Sequence, residues 1–226
     1  MSATQMQMDA LTHNLANAST SGFKQDGLAF QDNLAVQLRM GGQAIGTMGY
    51  GPKLEKEFTD FGLGTIAPTG NPLDLAITTE KGFFAVETPQ GTQYTRNGAF
   101  TLVGGVLSTN QGHPVLDDSG SPIEVGQGTI HVGAGGEVTV DGVEIAKLGI
   151  YDGAFSHVGN NLYKGTGAQL MDSPEVRSGA LEGSNVNSIS SMVTMVSLHR
   201  IFELSQRSIT QQDELTQRLI QSLQDR

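Results

Sequence analysis

The side chains that could do chemistry are few and scattered. The five histidines (His13, His113, His131, His157 and His199) include no two at metal-ligand spacing. Asp117-Asp118-Ser119-Gly120 hints at a calcium loop, yet it lacks the ligand alternation and the closing glutamate, so an acidic turn is the simpler reading. Gly62-Leu63-Gly64-Thr65-Ile66-Ala67 imitates a dinucleotide-binding fingerprint, but Pro68 and Gly70 fall where the phosphate-binding helix would have to run. Glu80 with Glu87, or Asp74 with Glu124, could face each other as a glycosidase pair; among so many acids some pair always can. There is no GxSxG, HExxH or Walker A sequence. Cysteine is absent, which excludes disulfides, thiolate zinc sites and cysteine nucleophiles. The expectation is a protein that is not an enzyme, with no catalytic residue, metal, cofactor or small-molecule substrate.

Charge narrows the partners. The net charge is -10, and residues 25 to 183 carry 8 Lys and Arg against 18 Asp and Glu, whereas both ends are neutral. A chain without a basic cluster cannot neutralise phosphates along a duplex, so nucleic acid is not an expected partner. Anionic membrane surfaces are disfavoured for the same reason. The first residues have neither a basic nor a continuous apolar stretch, so no cleaved signal peptide is expected.

Glycine and proline divide the 226 residues into segments. All seven Pro and 29 of the 30 Gly lie between residues 25 and 183. Before them, Met8, Leu11, Leu15 and Ala18 form one helical stripe, ended by Asn17 to Gly22. After them, Ser188 to about Leu223 reads as one helix of roughly 54 Å at 1.5 Å per residue, longer than a compact domain of this size is wide. With heptad a at Met195, Phe202, Ile209, Thr216 and Leu223, position d falls on Leu198, Ser205, Gln212 and Leu219. A second apolar set, Ile189, Met192, Val193, Val196, Ile201, Leu204, Leu215 and Ile220, widens the face beyond one seam. An intramolecular pair of helices is the bland reading, but one short N-terminal helix cannot cover so much surface.

The middle reads as β structure: short apolar or alternating runs at 73–78, 83–87, 99–103, 106–108, 129–132, 137–140 and 143–151, separated by turn residues. The clearest hairpin is Glu137–Val140, Asp141-Gly142, Val143–Ala146, since Asp-Gly suits a type I′ turn. The expected fold is mainly β, an antiparallel sandwich or barrel, with N- and C-terminal α-helices forming a coiled-coil-like terminal domain. The expected boundaries are 1–24 and 184–226 for the terminal helices, 25–70 for a Gly-rich extended arm and 71–183 for the β-rich body.

"NLANASTSGFK" (Asn14 to Lys24), "TGNPLDLAI" (Thr69 to Ile77) with "GFFAV", "YTRNGAFTL" (Tyr94 to Leu102) with "GHPVL", and "LEGSNVN" (Leu181 to Asn187) with "HRIFE" resemble, in order, the bacterial flagellar rod and hook proteins. The interval between "NPLD" and "LEGSNVN" resembles the rod subunits, proximal or distal, more than the hook protein. The resemblance spans nearly the whole chain. It implies a structural subunit of the flagellar basal-body rod that self-assembles through its terminal helices. It also implies export by the flagellar type III apparatus without a cleaved signal, and other rod and hook subunits, besides itself, as partners. Two departures stand out: members usually begin upstream of Met1, and the acidic pair common after "SNVN" is Ser190-Ser191 here. The assembly residues on this reading are Asn14, Leu15, Asn17, Leu181, Asn185, Val186, Asn187, Met192, Met195, Val196, Leu198, Phe202, Ile209, Leu219 and Leu223. The four asparagines are expected to cap helices or make tight turns where the helices meet the body. A secreted β-rich adhesin or binding protein, merely oligomerised by its helices, is the alternative.

Overall fold

In the computed structural model, which describes residues 2–32, 36–40, 43–48, 52–126 and 128–224, two helices bracket a run of short strands. Helix α1 (Ser2–Ala16) is followed by β1 (Asp26–Asp32), β2 (Val36–Met40), β3 (Gln43–Met48), β4 (Pro52–Thr59), β5 (Ile66–Pro68), β6 (Leu75–Ile77), β7 (Phe83–Thr88), β8 (Gly91–Thr95) and β9 (Phe100–Val103). Then come β10 (Val106–Thr109), β11 (Ile130–Val132), β12 (Glu137–Val140), β13 (Val143–Lys147), β14 (Ile150–Gly159), β15 (Leu162–Leu170), β16 (Val176–Ser178), β17 (Ala180–Glu182) and α2 (Ser188–Gln224). The fold is β-rich with a helix at each end, and among the described residues no helix is long and apolar enough to cross a membrane.

The chain divides into two units. One comprises Met1–Ala16, Asp26–Phe58 and Asn187–Arg226; the other comprises Asn17–Gln25 and Thr59–Val186.

In the second unit β7, β8, β15 and β14 close into a small antiparallel barrel, sealed where Ile150 and Tyr151 pair with Phe84 and Phe83. Barrel closure removes the open edges that would otherwise invite pairing with other chains. Phe84, Val86, Phe100, Leu107, Val115, Ile123, Val138, Leu148 and Ile150 form the heart of the core. The rings of Phe84 and Phe100 meet edge to face with centroids 5.1 Å apart.

The Asp-Gly hairpin forms as β12 and β13, with Val140 opposite Val143 and both turn residues at positive φ, 50° for Asp141 and 84° for Gly142. Elsewhere turn and strand signals misplace some boundaries. The run expected at 143–151 is split between β13 and β14, because the amides of Leu148 and Gly149 turn away to donate to Gly136 and Leu116. Strands β8 and β15 lie outside the expected runs: their sequences, GTQYT and LYKGTGAQL, are polar and glycine-bearing, and each is a strand because it pairs along its length with the strand before it, β8 with β7 and β15 with β14. Residues 25–70 hold β1 to β5, with β1 on β4, the β2–β3 hairpin, and β5 on β17. Ala18 lies past the end of α1, in a turn.

Phe84 is fully buried, so Phe84→Ala is expected to lower stability by about 3–5 kcal/mol. Urea denaturation followed by far-UV circular dichroism measures it, and a loss below about 1 kcal/mol would contradict this placement of the core.

Candidate assembly site

In the unit that contains both helices, α1 packs against α2. Along α2 the side chains withdrawn from solvent are Ser188, Ser191, Met195, Leu198, Phe202 and Ser205. On α1 they are Ala3, Thr4, Gln7, Met8, Ala10, Leu11, Asn14 and Leu15, at similar spacing. Beyond Ser205 every described α2 side chain is exposed, including Ile209 at 46%. Fifteen residues of α1 span about 22 Å and thirty-seven of α2 about 56 Å, so most of α2 outruns its partner. Met192 and Val196 are exposed, and the side chains of Leu219 and Leu223 lie outside those described.

The four asparagines each do a distinct backbone job. The buried Asn14 amide donates to the Asp26 carbonyl at 2.7 Å and accepts from the Asp26 amide at 2.9 Å, pairing α1 with the start of β1 as a strand would. His13 lies 3.6 Å from the same residue's carboxylate. Asn17 closes the turn after α1 by accepting from Thr20, through its carbonyl at 3.0 Å and its side chain at 3.2 Å. Asn187 caps α2, its side-chain oxygen taking the Ser190 amide at 3.0 Å. Asn185 accepts from the Gln25 amide at 2.8 Å and donates to the carbonyls of Asp60 and Gly62 at 2.8 and 3.2 Å. Leu181 and Val186, on either side of it, are half-buried.

Beneath Asn185, within the second unit, lies an ionic cluster that sequence reasoning missed. Lys24, Arg96 and Glu182 are all essentially inaccessible. Glu182 takes Lys24 Nζ on Oε1 and Arg96 Nε on Oε2, both at 2.6 Å, and the Gly64 amide on Oε1 at 2.9 Å. Lys24 also donates to the Gly62 carbonyl at 2.8 Å. Arg96 gives three further donors to the carbonyls of Ile77, Thr79 and Gly82, with Phe83 5.7 Å beneath the guanidinium. Two cations sharing one anion is tolerable in such a dry site only because each is also hydrogen-bonded. Gly64, part of the false dinucleotide fingerprint, lies against the Gly183 carbonyl, where a Cβ would collide. Gly22, at φ 67°, does the same against the Arg96 and Asn97 backbone while its amide donates to the Glu182 carbonyl at 2.8 Å. One carboxylate thus gathers the segment that follows α1, the segment that precedes α2, and the turn after β8.

The acidic turn at Asp117 is closed on itself: its carboxylate accepts from the amides of Ser119 and Ser121 and from the Ser119 hydroxyl at 2.7–2.9 Å. Burial alone would raise its pKa, but these bonds hold it below the usual carboxylate range.

Three family models match the chain: the flagella basal body rod protein over residues 1–24, the flagellar hook protein FlgE/F/G D1 domain over 76–140, and the flagellar basal body rod FlgEFG protein C-terminal over 177–222. Among curated proteins, the flagellar basal-body rod protein FlgF of Rhizobium meliloti (strain 1021) is 36% identical, covering 89% of this chain and 85% of the relative. The FlgF of Caulobacter vibrioides (strain ATCC 19089 / CIP 103742 / CB 15) is 29% identical over 96% of the chain and 91% of that protein. The rod protein FlgG of Bacillus subtilis (strain 168) is 32% identical over 96% and 93%. Nothing among these relatives favours an adhesin.

Removing the shared anion is expected to be the most damaging change here. Glu182→Gln leaves two buried cations without a counter-charge and should cost about 3–5 kcal/mol, whereas Lys24→Met leaves a one-to-one pair and should cost about 1–3 kcal/mol. Burial, offset in part by Glu182, lowers the Lys24 pKa below its ordinary 10.5. Between that lowered value and 10.5 the unfolded chain binds more protons than the folded one, so stability rises with pH across the window. Urea midpoints from pH 7 upward should show this rise in the wild type relative to Lys24→Met; parallel profiles would contradict it.

Proposed function

This chain belongs to the flagellar basal-body rod proteins, structural and non-enzymatic subunits of the basal-body rod, and from that premise we propose that it assembles through α1 and α2 as a coiled-coil-like terminal domain. The observation that carries the reading is the bare apolar surface of α2. Ile189 is 76% exposed, Val193, Leu204 and Leu215 are each 64%, and Met192, Val196 and Ile201 exceed half. Leaving so much apolar surface in water is costly unless neighbours cover it.

The polar residues of α2 are prepared for such burial. Thr194, Ser197, Ser205, Thr210 and Thr216 each donate a hydroxyl to the carbonyl four residues back, at 2.8–3.1 Å, so covering them strands no donor. Heptad-spaced withdrawal at Met195, Leu198, Phe202 and Ser205 supports the coiled-coil reading. The partners are further copies of the chain and other rod and hook subunits. The route to the basal body is the flagellar type III apparatus, without a cleaved signal, as the family resemblance implies.

Met192→Asp with Val196→Asp puts charge into the exposed apolar seam of α2. The wild type should show sedimentation that grows with concentration, and the double variant should stay monomeric and fail to restore motility to a bacterium deleted for this chain. The urea transition of its β unit should move by less than about 0.5 kcal/mol. Restored motility with unchanged sedimentation would refute assembly through this seam.

A further inference from the structure

Within α2 the segment Glu203-Leu204-Ser205-Gln206-Arg207-Ser208-Ile209 recurs eleven residues later as Glu214-Leu215-Thr216-Gln217-Arg218-Leu219-Ile220. Val193, Thr194 and Leu198 hold the matching leucine, hydroxyl and isoleucine positions one repeat earlier. Eleven residues return to within about 20° of the starting direction after three turns, and advance the helix by about 16.5 Å. Each repeat position therefore draws a nearly straight line along the helix.

Two of these lines are apolar. Val193, Leu204 and Leu215 have the same exposure, 64% each, so among the described residues that line lies mostly open along its length. Leu198, Ile209 and Ile220 form the other; Leu198 is half-buried in the face that α1 covers, while Ile209 and Ile220 are 46% and 49% exposed. Five residues separate the two lines, which places them about 140° apart around the axis. Helix α2 thus has two apolar faces, nearly opposite, and α1 occupies only the start of one.

We propose that the Val193–Leu204–Leu215 line is a second docking seam, and that its occupant is the Ile209–Ile220 line of α2 in another copy of the chain. The inference rests on the assembly reading and says which surfaces meet. Both lines keep one period, so once a single pair is in register the next is too. Between residues 188 and 224 three Arg (Arg200, Arg207, Arg218) balance three acids (Glu203, Asp213, Glu214), so two α2 helices approach without net repulsion. The flanking hydroxyls of Thr194, Ser205 and Thr216 are already bonded within the helix. A contact between two different faces is heterologous: each newly added copy still presents a free face to the next, and the row grows as a helical filament wherever the rotation does not close.

The chain has no cysteine of its own, so introduced thiols report this contact in the full-length protein. The shared period allows two registers, Ile209 over Leu204 or Ile220 over Leu204, tested by Leu204→Cys/Ile209→Cys and Leu204→Cys/Ile220→Cys. Within one helix each pair points to opposite sides and cannot close on itself. Under mild oxidation one of the double variants is expected to give a ladder of dimers, trimers and longer products on non-reducing gels. Leu204→Cys alone should give almost none. Self-linking of Leu204→Cys as efficient as the ladder would overturn the proposal, because like faces would then be meeting. So would assembly at wild-type concentrations with no ladder from either pair, an outcome that leaves the assembly reading standing. A wild type that stays monomeric at every concentration would remove that reading and this seam together. Leu204→Asp/Leu215→Asp, which changes only exposed positions and leaves the fold intact, should raise the concentration needed for assembly at least tenfold; an unchanged threshold would also overturn the seam.

Discussion

One buried carboxylate organises the meeting of the chain's two ends. Glu182 holds Lys24 and Arg96 at 2.6 Å each, and all three side chains are shut away from water. Charges in so dry a place need a counter-charge, so the cluster depends far more on its one anion than on either cation. Lys24 and Glu182 are 158 residues apart in the chain. The site therefore forms only when the segment after α1 and the segment before α2 are both folded onto the same β unit. Around it the backbone runs too close for side chains at Gly22 and Gly64, and Asn185 adds three hydrogen bonds.

With both ends pinned in this way, the helices are left to a different task. The glycines and prolines of the described residues lie outside both helices, where positive φ and sharp reversals are needed; α2 has none, and runs unbroken for 37 residues. Its exposed apolar side chains and internally bonded hydroxyls suit it to being covered. An isolated helix surface of that kind is the complement of a polymer: its energy is realised only among neighbours.

How much of this could be read from the residues depended on the range of the signal. The Asp-Gly hairpin and the long C-terminal helix are local, and their patterns alone define them. Strands β8 and β15 are polar and glycine-bearing, and owe their conformation to hairpin pairing with β7 and β14 rather than to any apolar alternation of their own, which is the signal a sequence window reads. Lys24, Arg96 and Glu182 were counted as part of a net charge because charged residues are rarely buried, and nothing in their spacing along the chain shows that they converge. The signal that could have found them was the placement of each inside one of the quoted motifs: "SGFK", "YTRNG" and "LEGSN". The repeat in α2 is plain in the sequence, but a heptad frame laid over it puts Ile209 and Ile220 in different positions and hides the second line.

The central claim is that the β unit and its charge cluster are complete in a single chain while α2 is completed only by neighbours. Hydrogen exchange measured on the free chain and on assembled rods separates the two states. Amides at 22–25 and 180–186 should be protected in both, whereas those at 206–224 should exchange quickly in the free chain and slow by orders of magnitude on assembly. Equal exchange across 206–224 in the two states would contradict the account.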